Sequence, residues 1–191
     1  MTQPHHRRSI RLSGYDYASA GAYFITVCTH DRECLFGQIV NGEMRLNALG
    51  EIVRAEWEKT AAIRAEIELG PYVIMPNHFH AIVMIVDDGR GDRLVAPTPP
   101  VAPTPPVAPT PPVAPTTPTG PKPKSIGAII AGFKSAATTR INQIRNPPAA
   151  PVWQRNYYDH IIRDEASYQT ITVYILNNPA QWEQDQLFQI G

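Results

Sequence analysis

The order of hydrophobic and polar positions along the chain predicts several short strands. Residues 21–30 mix aromatic and β-branched side chains and predict a strand. Residues 35–46 predict a hairpin, with Asn41-Gly42 as its type I′ turn. Residues 67–75 and 78–86 predict two more strands, which a Pro-Asn pair separates.

Three stretches carry apolar residues at helical spacing, and each follows a polar residue that can cap a helix. Asn47 precedes the first helix, Ser125 the second and Asp164 the third, which proline stops. A further strand is predicted within residues 152–163. The order strand, hairpin, helix, two strands, helix, strand, helix predicts an α+β fold of ferredoxin-like type, an antiparallel sheet with helices packed on one side.

A proline-rich repeat interrupts this pattern before the second helix. The hexamer VAPTPP stands at 95–100, 101–106 and 107–112, and VAPTTP at 113–118. Of the 20 prolines, 13 lie in residues 97–123. Proline has no backbone N–H to donate, so we interpret 95–123 as an extended or disordered insertion, with a PxxP-type ligand as the alternative. Neither flank is expected to fold alone, and residues 1–191 are therefore interpreted as one domain carrying this insertion.

Composition excludes some classes of protein. The longest strongly apolar run has about six residues, whereas a membrane-spanning helix needs about 20. The N-terminus shows no apolar stretch after its basic residues, so no signal peptide is predicted. Cys28 and Cys34 have no second pair, which favours reduced thiols in the cytoplasm. No GxxxxGK[ST] motif is present, so no nucleotide cofactor is predicted.

The formal net charge is zero, which by itself argues weakly against a nucleic-acid partner. The charges are nevertheless unevenly distributed. Residues 122–163 hold seven basic residues and one acid, a local charge of +6, and residues 1–15 hold three arginines and no acid. The candidate phosphate contacts are Lys134, Arg140, Arg145, Arg155 and Arg163, with Arg7, Arg8 and Arg11 as an N-terminal arm. Tyr157 is a candidate for stacking on an unpaired base, although packing in the core is the alternative.

The segment Pro76-Asn77-His78-Phe79-His80 carries the sharpest local signal. Residues i and i+2 of a strand point to the same face, so His78 and His80 project together. Two adjacent imidazoles are natural ligands for a divalent metal ion, and the alternative is two solvent-facing histidines. A third ligand would have to come from another part of the chain.

The last predicted helix offers a nucleophile and a further ligand. Tyr174 and Asn178 are four residues apart and share one helix face. The phenol of Tyr174 can act as a nucleophile, and the amide oxygen of Asn178 can bind a hard cation. The alternatives are a core tyrosine and a C-cap before proline.

In this order and spacing, these segments resemble the single-tyrosine HUH transposases, the insertion-sequence-200-like family, and most closely its branch of REP-associated tyrosine transposases. The resemblance runs through GAYFITVCTHDRECLFG, VIMPNHFHAIVMI, SIGAIIAGFKSAATTRIN and VWQRNYYDHIIRDEASYQTITVYILNNPAQW. MPNHFH matches the family's His-hydrophobic-His motif, and YILNNP matches its tyrosine helix.

The resemblance implies a metal-dependent enzyme of the bacterial cytoplasm or nucleoid that cuts and rejoins single-stranded or hairpin DNA. His78 and His80 would bind Mg²⁺ or Mn²⁺, and Asn178 would complete the site. Tyr174 would form a 5′-phosphotyrosine intermediate. The resemblance also implies a homodimer, since the tyrosine helix is swapped between subunits in many relatives.

Two other functions fit the same residues. One is a domesticated protein of the same fold that binds a DNA hairpin without cutting it. The other is a metal hydrolase acting on a small substrate, although no further His/Asp ligand cluster is expected from the sequence. Replacing Tyr174 would abolish a covalent DNA adduct but would leave such a hydrolase active.

Overall fold

The computed structural model describes residues 15–86, 120–145, 150–185 and 187. The proline repeat at 95–118 and the predicted contacts Arg7, Arg8 and Arg11 lie outside these residues. The strands are β1 (Gly21–Cys28), β2 (Gly37–Val40), β3 (Glu43–Leu46), β4 (Ile67–Ile74), β5 (His78–Ile85) and β6 (Tyr158–Ile162). The helices are α1 (Ala48–Ile63), α2 (Ile126–Ile144) and α3 (Glu165–Asn177), with 3₁₀ turns at His30–Arg32 and Pro179–Gln184.

Four strands form one antiparallel sheet in the order β4-β5-β1-β6. Helix α1 lies between β1 and β4 in the chain, and α2 lies between β5 and β6. The main sheet therefore follows a β-α-β-β-α-β path, and the ferredoxin-like prediction is confirmed. Strands β2 and β3 form a separate hairpin, and Asn41 and Gly42 have the positive φ angles, 53° and 75°, that a type I′ turn requires.

The three predicted helix caps are confirmed. The Asn47 side chain accepts hydrogen bonds from the N–H groups of Leu49 and Gly50. Ser125 accepts from the N–H of Ala128, and Asp164 accepts from that of Ser167. These bonds satisfy amide donors that have no partner within the first turn of a helix.

Helices cover both faces of the sheet, so the expectation that they pack on one side was wrong for α3. Trp57 of α1 and Phe133 of α2 pack around Phe79 on one face. On the other face, Ile175 of α3 packs in a smaller cluster with Phe24, Ile82 and Ile162. The reason lies in β5, which is apolar at both alternating sets of positions after His80 and therefore needs cover on both sides. Within the described ranges, no helix is both long and apolar enough to cross a membrane.

Candidate active site

The two histidines of β5 point to the face that α3 covers, as their spacing predicted. Their ring centroids are 4.5 Å apart. The side chains are buried, with exposed fractions of 0% for His78 and 2% for His80. The alternative of two solvent-facing histidines is therefore wrong.

The proton of His78 is placed by its neighbour Asn77. The Asn77 Nδ2 donates to the carbonyl oxygen of Leu187 at 2.7 Å, which fixes the amide orientation. The Asn77 Oδ1, which can only accept, lies 2.8 Å from His78 Nδ1, so that nitrogen carries the proton. His78 Nε2 then presents a lone pair, and this buried atom has no hydrogen-bond partner among the described residues.

His80 is held between β1 and α3. Its Nδ1 lies 2.8 Å from Thr26 Oγ1 on the neighbouring strand, because Thr26 is its register partner. The ring stacks on Phe24 at a centroid distance of 5.3 Å. Its Nε2 faces the Tyr174 hydroxyl at 3.2 Å.

Both imidazoles are neutral at neutral pH. Burial lowers the pKa of His78 to about 4, against a weaker opposing effect of the Asp185 charge. Burial, followed by the proximity of His78, lowers the pKa of His80 well below its usual value. The neutral ring is the form that can bind a metal ion.

Tyr174 lies in the last turn of α3 and points toward His80. Its side chain is 41% exposed, so it is not a core tyrosine. Burial of the hydroxyl region, with the negative charge of Asp185, raises the pKa of Tyr174 to about 12. The hydroxyl is therefore protonated at neutral pH, and a reaction through it needs activation.

Asn178 reaches the same site from the end of α3. It is 2% exposed, and it is also the C-cap of the helix. Its Nδ2 donates to Asp185 Oδ2 at 3.0 Å, while its buried Oδ1 has no hydrogen-bond partner within the described part of the chain. The Asn178 side chain also acts to raise the pKa of His78, although less than burial lowers it.

Asp185 joins this group, and sequence reasoning missed it. A carboxylate oxygen of Asp185 and one ring nitrogen each of His78 and His80 lie within 4.8 Å of one another. Asp185 is thus a candidate ligand that the predicted set of His78, His80 and Asn178 lacked. Asp185 follows a short 3₁₀ turn and belongs to no periodic pattern, so only its position a few residues after the tyrosine helix could have suggested it.

A cavity of about 1160 Å³ opens beside these residues. His80, Tyr174, Asn178 and Asp185 form part of its wall. Residues 154–157, which precede β6, and the first two residues of β6 form another part. The predicted contacts Arg155 and Tyr157 both line this cavity, together with the exposed Tyr158.

The other predicted DNA contacts do not line this cavity. Three of them instead contact other groups of the same chain. Lys134 donates to the carbonyl oxygens of Gln154 and Arg155, and burial lowers its pKa. Arg140 pairs with the buried Glu56 at 2.7 Å, and Arg145 pairs with Glu33 at 3.2 Å. Arg163 is exposed just after β6.

Comparison with known proteins establishes the fold and the family. A solved structure of a REP-associated tyrosine transposase bound to a REP hairpin has the same fold, with a TM-score of 0.53, 18% identity, and coverage of 94% of this chain and 92% of that one. A protein of Haemophilus influenzae described as an uncharacterized protein is 43% identical over 184 residues, which are 96% of this chain and 94% of that protein. The chain belongs to the same family as that protein. No family model matches the chain.

Proposed function

We propose that this protein is a transposase that cuts and rejoins single-stranded DNA through Tyr174 with the help of a divalent metal ion. One observation carries the proposal: the Tyr174 hydroxyl lies 3.2 Å from Nε2 of the buried His80, at the wall of an open cavity. A tyrosine nucleophile beside a pair of neutral histidines is the arrangement that phosphoryl transfer by a metal-assisted tyrosine needs. The fold shared with a REP-associated tyrosine transposase supports it.

The donor atoms fit a metal ion. His78 Nε2 and Asn178 Oδ1 are buried lone-pair donors that have no hydrogen-bond partner among the described residues. Since the His78 proton lies on Nδ1, neither atom can donate to the other, and a cation between them would satisfy both. We assign His78, His80 and Asn178 as ligands of Mg²⁺ or Mn²⁺. The bound ion would neutralise charge that develops on the scissile phosphate.

In the proposed reaction, Tyr174 forms the covalent bond to DNA. Tyr174 attacks the phosphorus; its oxygen forms the new P–O bond as its proton passes to water. The bond from phosphorus to the 3′ oxygen breaks, and that oxygen takes up a proton. The products are a 5′-phosphotyrosine and a free 3′-OH. Attack by a 3′-OH reverses the step and rejoins DNA without a nucleotide cofactor, because the phosphodiester energy is kept in the intermediate.

The cavity suits an unpaired strand better than a duplex. Tyr158 offers an exposed aromatic ring, and Arg155 offers a guanidinium for phosphate or for stacking. Tyr157 lies in the same wall and can support the base. We propose that single-stranded DNA beside a hairpin or palindrome occupies this cavity with its scissile phosphate at Tyr174.

The direct test is a labelled single-stranded hairpin incubated with the protein and Mn²⁺. We expect a covalent protein–DNA product that resists denaturation, requires metal and disappears in Tyr174→Phe. Tyr168→Phe, on the same helix, is the matched control and should keep the product. Tight hairpin binding without any product, across a panel of hairpins, would contradict the proposal and favour a protein that binds without cutting.

A homodimer remains a prediction. A separate question is whether helix α3 is exchanged between its subunits. Tyr174 and His80 of one chain already lie 3.2 Å apart, so we propose that each site is complete within one subunit. Mixing His80→Ala protein with Tyr174→Phe protein should then restore no cleavage. Recovery of cleavage in the mixture would show that the helix is exchanged between subunits.

A further inference from the structure

Asp185 lies at the centre of the contacts around the candidate metal site. Its Oδ2 accepts from Asn178 Nδ2 at 3.0 Å and from the Tyr174 hydroxyl at 3.5 Å. Its Oδ1 accepts from the N–H of Leu187 at 2.6 Å. All three donors are neutral, and among the described residues no lysine or arginine forms an ion pair with Asp185. Within the described ranges, this half-buried carboxylate therefore has no positively charged partner.

The other donors lack a negative charge. His78 and His80 are neutral and buried, and Asn178 contributes a neutral amide. Placing a divalent cation among neutral groups away from water is costly unless an anion offsets part of its charge. Carboxylate oxygen is also the donor type that Mg²⁺ and Mn²⁺ prefer. The Asp185 carboxylate would therefore supply the negative charge that the other donor groups lack.

The segment that carries Asp185 contacts β5 and the residue before it through Trp182 and Leu187. We call residues 179–185 and 187 the C-terminal segment. Trp182 is buried, with its ring 5.9 Å from that of His78. The carbonyl oxygen of Leu187 accepts from Asn77 Nδ2 at 2.7 Å, and the Leu187 N–H fixes the Asp185 carboxylate. Asn77 thus orients both the His78 ring and the segment that brings Asp185.

We propose that Asp185 is the carboxylate ligand of the metal ion held by His78 and His80, so that the C-terminal segment is part of the metal centre. This inference rests on the proposed function, because it concerns the ion that the function requires. It adds an anionic ligand from outside the tyrosine helix, and it makes metal binding depend on the chain beyond Pro179. It assigns Asn178 a second role, in which its Nδ2 holds the carboxylate while its Oδ1 faces the ion.

The test measures Mn²⁺ binding to the full chain by isothermal titration calorimetry, without DNA. Asp185→Asn should weaken binding by about tenfold or more, because the charge is lost. Asp185→Ser removes any ligand atom of similar reach and should weaken binding at least as much. Glu183→Gln is the matched control, since it removes an exposed carboxylate from the same segment, and it should bind Mn²⁺ within about twofold of the unaltered chain.

Thermal unfolding in EDTA shows whether a variant is destabilised without metal. This distinguishes weaker Mn²⁺ binding from a folding defect. Each variant is compared at equal folded fraction, and the rise in Tm on adding Mn²⁺ gives a second measure of binding. The inference would be overturned if both Asp185 variants bound Mn²⁺ as tightly as the unaltered chain while His80→Ala bound it weakly. That result would leave the proposed function intact. Unaltered affinity with stronger DNA adduct formation would instead show that Asp185 occupies the place of a phosphate. Failure of the unaltered chain to bind Mn²⁺ would count against the metal centre itself.

Discussion

The two faces of strand β5 differ in what they bury. On one face, Phe79 packs against aromatic rings of α1 and α2 within the larger hydrophobic cluster of the protein. On the other face, His78 and His80 are equally buried but hold their rings with directed hydrogen bonds to Asn77 and Thr26. The first face buries mainly apolar side chains, whereas the second combines a smaller apolar cluster around Ile175 with the two buried imidazoles.

This difference indicates where stability and function lie. Burying two imidazoles costs stability, and so do His78 Nε2 and Asn178 Oδ1, which have no hydrogen-bond partner among the described residues, since a buried unsatisfied polar group is unfavourable. Such a cost is typical of a site that awaits a ligand. The apolar face, around Phe79, carries the larger hydrophobic cluster, so substitutions on the two faces should separate stability from metal binding.

The largest effect on stability is expected from the apolar face. Phe79→Ala should reduce the free energy of unfolding by about 3–5 kcal/mol, because it leaves a cavity between Trp57 and Phe133. Urea unfolding followed by circular dichroism measures it. A loss below about 1 kcal/mol would show that the two faces do not differ as we describe.

The polar face should show the reverse behaviour. Thr26→Val removes the hydroxyl that is hydrogen-bonded to His80 Nδ1 and should weaken Mn²⁺ binding by about 10–100-fold. The free energy of unfolding should change by only about 1 kcal/mol. Calorimetry and urea unfolding on the same protein give both numbers. Equal metal affinity would show that Thr26 does not position the ring.

Two arginines of the basic stretch at residues 122–163 should also separate stability from DNA binding. Arg155→Ala, at the cavity, should weaken single-stranded DNA binding and lower the slope of log affinity against log salt by about 1. Arg140→Ala should leave that slope unchanged and lower stability by about 1–3 kcal/mol, because the buried Glu56 loses its partner. Fluorescence anisotropy across a salt series measures the slopes. A change of slope for Arg140→Ala would return it to the set of phosphate contacts.

The smallest effect is expected from the proline repeat. Deleting residues 95–118 should leave cleavage and stability unchanged if the repeat is only a tolerated insertion. Adduct formation and thermal unfolding of the deletion variant measure this. Loss of activity would show that the repeat contributes to binding or cleavage.

Much of this arrangement could be predicted from sequence because its signals are local. Each helix follows a residue that caps it, namely Asn47, Ser125 or Asp164. The i, i+2 spacing of His78 and His80 places both on one face of β5. The side of the sheet that α3 covers could not be predicted, because β5 is apolar on both faces.

The missed residues depend on contacts between distant parts of the chain. Thr26 meets His80 only through the register of β1 and β5, across 54 positions. Asp185 reaches the site because its short turn folds back over the end of α3. Lys134 was predicted as a phosphate contact from its charge alone, yet its ammonium group binds the backbone of the loop before β6. No periodicity reports such long-range pairings.

The most direct test of the central claim is to find the residue that becomes linked to DNA. The Mn²⁺-dependent adduct with a labelled hairpin would be digested with a protease and a nuclease, and the modified peptide sequenced by mass spectrometry. We predict a nucleotide 5′-phosphate on Tyr174 and on no other residue. A phosphonucleotide on another tyrosine, or cleavage without any covalent adduct, would contradict the account.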